Sequence, residues 1–127
     1  MLAHNHTEEA IRKAINKSDY TSHLFRFPGG SVGGKYANLK KEAVTLLDQN
    51  NIAHLDWNAL TGDAEGKKTK EDMLCYVKEL IGQKQSVVIL MHDAGDKILT
   101  YEILPELIQY LKEQGYSFKN IYDLYEN

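Results

Sequence analysis

Residues 86–91 read SVVILM, and this run decides the fold. It is continuous in apolar side chains from Val87 to Met91, with no polar alternation. A short run of that kind predicts a strand buried on both faces, as strands of a parallel sheet are. A helix is predicted on each side of it. Upstream, Thr69 opens one, with Asp72 three residues on in capping-box spacing. Met73, Leu74, Val77, Leu80 and Ile81 recur along it at helical period and form its inward face. Downstream, residues 99–114 read as a helix with Ile103, Leu104, Leu107, Ile108 and Leu111 inward. Pro105 fits that helix only within its first turn, so the start is expected between Thr100 and Leu104. Gly115 ends it, and residues 117–122 are a candidate for a last short strand.

The same alternation continues toward the N-terminus. Residues 7–17 read as a helix capped by Thr7, with Glu8 and Glu9 in a first turn that favours negative charge. Residues 23–27, HLFRF, read as a strand stopped by Pro28 and Gly29. PGGSVGG at 28–34 is loop, punctuated by glycine throughout. Residues 35–49 read as a helix with Leu39, Ala43, Leu46 and Leu47 on one face, 52–57 (IAHLDW) as a strand, and 58–68 as loop. Helices alternating with buried strands predict one α/β domain over residues 1–127, with a mostly parallel sheet.

Composition narrows the function classes. With 127 residues, 43% hydrophobic and 26% charged, the chain reads as a globular domain. A net charge of -3 argues against nucleic acid, whose phosphates call for clustered Lys and Arg. The one basic cluster, Lys67, Lys68 and Lys70, reads as a solvated surface. Cys75 lies on the apolar side of its helix and is expected to be buried, and a lone cysteine forms no internal disulfide. No stretch is long enough to span a membrane, and MLAHNHTEEA lacks the pattern of a secretory signal. As written, the product is expected in the cytoplasm.

In α/β folds the loops at the carboxyl ends of strands carry chemistry, and three segments qualify: Arg26–Gly30, Trp57–Asp63 and His92–Asp96. Arg26 stands between Phe25 and Phe27. A guanidinium cannot lose its proton, so a buried Arg26 needs a carboxylate; on residue type alone it alternates outward to solvent. The following Pro28-Gly29-Gly30 leaves backbone N–H groups free to face an anion. Trp57 reads as core, and Asp63 as a turn residue of TGDAEG. His92 ends the buried strand beside a polar loop that also holds Asp93 and Asp96; a satisfied structural histidine and a functional one are both open there. His4 and His6 invite a metal, but two imidazoles fall short of a donor set, and a frayed, solvated terminus is the expectation. His23 and His54 read as structural.

Four segments together are more specific than any one of them. LFRFPGGS from Leu24, LDWNALTGDA from Leu55, VVILMHDAG from Val87 and ILPELIQYLKEQGYSF from Ile103 resemble, in order and spacing, the C-terminal half of the polysaccharide deacetylase family, carbohydrate esterase family 4. The resemblance implies part of a distorted (β/α) barrel, a truncated one over these residues. It implies an activity that removes acetyl groups from N-acetylglucosamine units of peptidoglycan, chitin or related glycans. It also implies a divalent metal, usually zinc, held in the intact family by one Asp and two His, with an adjacent Asp as base. Intact relatives act outside the cell or at its surface.

Carried over residue by residue, Arg26 matches the arginine that orients the base. Gly29 matches the residue whose N–H faces the oxyanion, and Trp57 an aromatic on the strand entering the family's fourth motif, read as substrate-binding. Leu90 matches the leucine of the acetyl pocket, His92 the general acid, and Asp63 the carboxylate paired with it. The first motif, with base and metal-binding Asp, has no counterpart here. His6-Thr7 resembles the start of the two-histidine motif, but Ala10 stands where the second histidine belongs. The chain is therefore expected to hold no metal by itself and to be inactive alone. The alternatives are a glycan-binding remnant that does not cleave, or one half of a split deacetylase completed in trans. Part of a barrel leaves sheet edges and apolar faces open, so self-association, element swapping or docking of the first helix is expected to cover them.

Overall fold

The structure is a computed structural model that describes residues 2–66 and 69–124. The chain divides into two compact units, residues 1–57 and 58–127. Each is built around one β-α-β crossover with a parallel strand pair.

In the first unit, β1 (Leu24–Phe25) is followed by α2 (Ala37–Gln49) and β2 (Ala53–His54), with α1 (Leu2–Ile15) preceding them. Leu24 lies opposite Ala53 and Phe25 opposite His54. The Ala53 N–H donates to His23 O at 2.8 Å and the Leu55 N–H to Phe25 O at 3.1 Å. Phe27, Leu47 and Ile52 form the buried core, with Phe25, Ala43 and Val44 packed on it. The expected α2 face is only partly right: Leu39 is 63% and Leu46 47% exposed. The inward face is instead Ala43, Val44 and Leu47.

α1 starts at Leu2, so Thr7 is inside the helix and not its cap. Glu8, expected in the first turn, lies in the middle of the helix and is buried. Its carboxylate accepts the Ser22 N–H at 3.1 Å and the Ser22 hydroxyl. His4 is also buried, edge-on to Phe25 with ring centroids 6.1 Å apart, which corrects the expectation of a solvated terminus. His6 is exposed.

In the second unit, β3 (Ala59–Leu60), α3 (Lys70–Ile81), β4 (Ile89–Leu90) and α4 (Ile98–Glu113) are followed by a 3₁₀ turn over Ile121–Leu124. Ala59 pairs with Ile89 and Leu60 with Leu90. β3 falls in a stretch read as loop; its two residues are too short to show a period, and its backbone ladder is extended by Asn58. That side chain donates to Ser86 O and accepts the Val88 N–H, both at 2.9 Å, mimicking a ladder step. The α3 cap is as expected: Thr69 Oγ1 accepts the Asp72 N–H at 3.0 Å. Met73, Leu74, Val77 and Ile81 of α3 and Ile103, Leu107 and Leu111 of α4 close with Ala59 into one core.

Several expectations fail in this unit. Val87 to Met91 are half-buried, not covered on both faces. Cys75 and Ile108 are exposed. Residues 117–122 form no strand, and α4 starts at Ile98, which puts Pro105 inside it. Gly115, at φ 85°, donates to Lys112 O and ends α4 as expected. Of the basic cluster, Lys67 and Lys68 lie outside the described residues, and Lys70 pairs with Glu102 at 3.0 Å. Both strand pairs are parallel, and neither closes a barrel. Among the described residues no helix is long and apolar enough to cross a membrane.

Candidate functional site

β3 runs out into Thr61-Gly62-Asp63. Gly62 adopts a φ of 74°, open to glycine at little cost, and the Glu65 N–H closes the turn on Gly62 O at 2.9 Å. The turn lays the Asp63 carboxylate beside the end of β4, where His92 emerges. Oδ1 of Asp63 lies 2.9 Å from His92 Nδ1. Oδ2 accepts the His92 backbone N–H at 2.7 Å and the Thr100 hydroxyl at 3.0 Å. Lys97 Nζ donates to the Asp63 carbonyl at 3.0 Å. The turn reading of Asp63 was therefore half of its role.

The Asp63 side chain is 5% exposed and that of His92 38%. Burial pushes the Asp63 carboxyl up. The bonds from the His92 ring, the His92 N–H and the Thr100 hydroxyl, with the charge of His92, outweigh it and hold the group below the ordinary carboxylate range. With a carboxylate on Nδ1, the neutral ring keeps its proton there, and Nε2 is the nitrogen left for a ligand. Leu90, two residues before His92, sits half-buried on β4.

The other three predicted residues lie in the first unit. Arg26 is exposed, and its guanidinium carbon is 5.9 Å from the centroid of the Trp57 ring, a cation–π contact. Among the described residues it forms no ion pair with a carboxylate. Gly29 is exposed at φ 71°, and a Cβ there would meet nothing within 4 Å. Trp57 is half-buried. The structure thus joins Asp63 to His92 and Arg26 to Trp57.

Sequence reasoning missed four residues. Thr100 was seen only as a helix start, and Lys97 as loop. Ser31 and Asp56 were passed over inside their segments, yet both Asp56 oxygens accept the Ser31 N–H at 3.0 Å, and Oδ2 accepts its hydroxyl at 2.5 Å. A hydroxyl next to paired glycines, and a carboxylate just ahead of an aromatic at a strand end, were the available signals.

The metal implied by the resemblance needs one Asp and two His. Among the described residues no group of three His, Cys, Asp or Glu side chains lies together. His92 Nδ1 is committed to Asp63, His4 is packed on Phe25, and His6 has Ala10 one turn on. The described residues do not fit that metal.

No protein-family model and no curated protein sequence matches the chain. Solved structures do. A CE4 esterase from Streptococcus mutans is 29% identical with a TM-score of 0.72, over 88% of this chain and 48% of that one. The catalytic domain of peptidoglycan N-acetylglucosamine deacetylase from Eubacterium rectale is 23% identical with a TM-score of 0.76, over 92% of this chain and 53% of that one. The chain spans about half the length of each structure it matches.

Proposed function

We propose, from the portion of the CE4 deacetylase fold that the chain carries, that it supplies the proton-donating part of an N-deacetylase acting on N-acetylglucosamine units of a glycan. The observation that carries this is the Asp63–His92 pair, a near-buried carboxylate on the inner nitrogen of a half-exposed imidazole. The amine of an acetamide leaves only if it is protonated as the C–N bond breaks. His92 gives that proton from Nε2, and Asp63 holds the ring and its cation. Gly29 offers its N–H to the acyl oxygen as negative charge develops there. Leu90 lines the acetyl pocket, Trp57 lies against the sugar, and Arg26 orients the base. A peptidoglycan-type glycan is favoured by the name of the second neighbour.

Metal and base then come from residues other than those described, and the 127-residue chain is inactive alone. With added zinc it should release no acetate from N-acetylglucosamine oligomers; metal-dependent release would overturn its inactivity. Mixed with the upstream half of the Streptococcus mutans esterase, it should gain zinc-dependent release that His92→Ala lowers by about 10²–10⁴-fold. Two halves that associate without any acetate release would sink the deacetylase reading.

A further inference from the structure

The loop of residues 28–34 has little of its own to hold it. Gly29, Gly30, Gly33 and Gly34 all have φ between 70° and 83°, and glycine loses the most conformational freedom on ordering. Within the loop the backbone bonds are Gly30 N–H to Phe27 O at 3.0 Å and Ala37 N–H to Gly34 O at 3.3 Å. Lys40 Nζ reaches Gly33 O at 3.5 Å, long for a useful bond. The strong tie to the rest of the unit is Asp56. Its carboxylate takes both the N–H and the hydroxyl of Ser31, and charged acceptors make the stronger hydrogen bonds.

The same contact seats the loop on the aromatic next door. Gly30 is buried, and a Cβ built there would lie 3.8 Å from both Asp56 oxygens and from Cη2 of Trp57. Arg26 contacts the same ring. One carboxylate therefore fixes the turn whose apex, Gly29, makes no hydrogen bond through its N–H to other described residues. Burial pushes the Asp56 carboxyl up, but the two bonds from Ser31 and the charges of His54 and Lys40 leave it below its ordinary value, ionised and able to accept.

We propose that Asp56 is a positioning residue: by clamping Ser31 it sets the direction in which the Gly29 N–H is presented to the acyl oxygen. The clamp stands on the geometry, and its link to an acyl oxygen rests on the deacetylase reading. Amide hydrogen exchange on the 127-residue chain tests the first. Asp56→Ala should speed exchange at Gly30 and Ser31 by about ten- to a hundredfold and open Trp57, the only tryptophan, to acrylamide quenching. Asp56→Asn, which keeps one acceptor oxygen, should recover much of the protection. The Ala53 and Leu55 amides, in the β1–β2 ladder, should not change. Ser31 protection unmoved in Asp56→Ala, or lost equally at Ala53 and Leu55, would overturn the clamp. Should Asp56→Ala not fold, Ser31→Pro, which removes both the N–H and the hydroxyl that Asp56 accepts, decides, with unchanged protection at Gly30 overturning it.

The complemented enzyme tests the second. There Asp56→Ala should lower kcat by about tenfold or more with little change in KM, since an oxyanion donor acts on the transition state. A loosened Ser31 with unchanged kcat would refute positioning while leaving the deacetylase reading intact. Absence of acetate release with the unsubstituted chain would instead count against that reading.

Discussion

Both oxygens of Asp63 are engaged, one by the His92 ring and one by the His92 N–H and the Thr100 hydroxyl. Asp63→Asn puts an amide where the acceptor was, so its NH₂ can face Nδ1 and drive the proton to Nε2. The ¹⁵N shifts of the His92 ring should report that change of tautomer, and an unchanged tautomer would mean Asp63 does not set it. Loss of a charged, nearly buried acceptor should also cost about 1.5–3 kcal/mol of stability. Thr100→Val removes one donor to the same carboxylate and should cost about 1 kcal/mol, with Thr100→Ser recovering part of it; equal stability of all three forms would deny the bond its role. Acid sensitivity follows from sign. Asp63, Asp56 and Glu8 all have native values below their ordinary ones. For Glu8, too, burial raises it and the Ser22 bonds with the His4 and Arg12 charges win. The folded chain therefore binds fewer protons than the unfolded one. The stability these groups add is complete above about pH 4–5 and drains away as pH falls through their depressed native values. Denaturant titrations from pH 6 to 3 should show it, and Asp63→Asn should flatten the fall. Of this site, His92 and Asp63 were legible because their segments have a distinctive order. Thr100, Ser31 and Asp56 were not, because a hydrogen bond between residues 25 or more apart leaves no local pattern.

At the scale of elements, α3 is the most completely written in the sequence. Its cap agrees, as do Met73, Leu74, Val77 and Ile81 of its inward face, with Cys75 the exception, and Thr69→Ala should destabilise the chain by about 1 kcal/mol. α4 breaks a rule. Pro105 lies inside it, without an N–H for the Tyr101 carbonyl one turn back. Pro105 is exposed and Tyr101 is 77% exposed, so water can serve that carbonyl. Pro105→Ala should restore the bond and stabilise the chain by on the order of 1–3 kcal/mol. A lower melting temperature in that variant would mean the proline holds a bend that the packing needs. The sequence misled where apolar residues stood outside the final packing. Leu39, Leu46, Cys75 and Ile108 sit at helical spacing from true core positions, yet periodicity cannot say how wide an arc the neighbouring strands cover. Where strands are two residues long that arc is narrow, and flanking apolar side chains stay in water. The short strands themselves had no period to read. Beside β3, Asn58 bridges to Ser86 and Val88, a side-chain device that composition does not signal.

At the scale of the whole molecule, the two units differ in how much holds each together. Among the described residues the second has eight buried residues in one cluster, from Ala59 to Leu111. The first has three in its cluster, Phe27, Leu47 and Ile52, and leaves Val32, Tyr36, Leu39 and Leu46 from 47% to 79% exposed. Local opening is easiest where few apolar contacts must break. The Ala53 and Leu55 amides should therefore exchange sooner than those of the α3 core face, such as Val77 and Ile81. Faster exchange at Val77 would invert the ranking. The same weakness bears on association. Among the described residues the β1–β2 pair gains no third strand, which leaves its edges to be covered, and a β-α-β unit with apolar side chains at Leu39 and Leu46 gains by covering them. We expect the chain to self-associate at micromolar concentration, through the first unit. Leu39→Lys with Leu46→Lys should shift light scattering toward monomer while leaving the melting of the α3–α4 core in place, because neither leucine belongs to it. A chain already monomeric at high concentration, with the first unit as protected from exchange as the second, would show that the exposed stripe needs no cover and that three buried residues suffice.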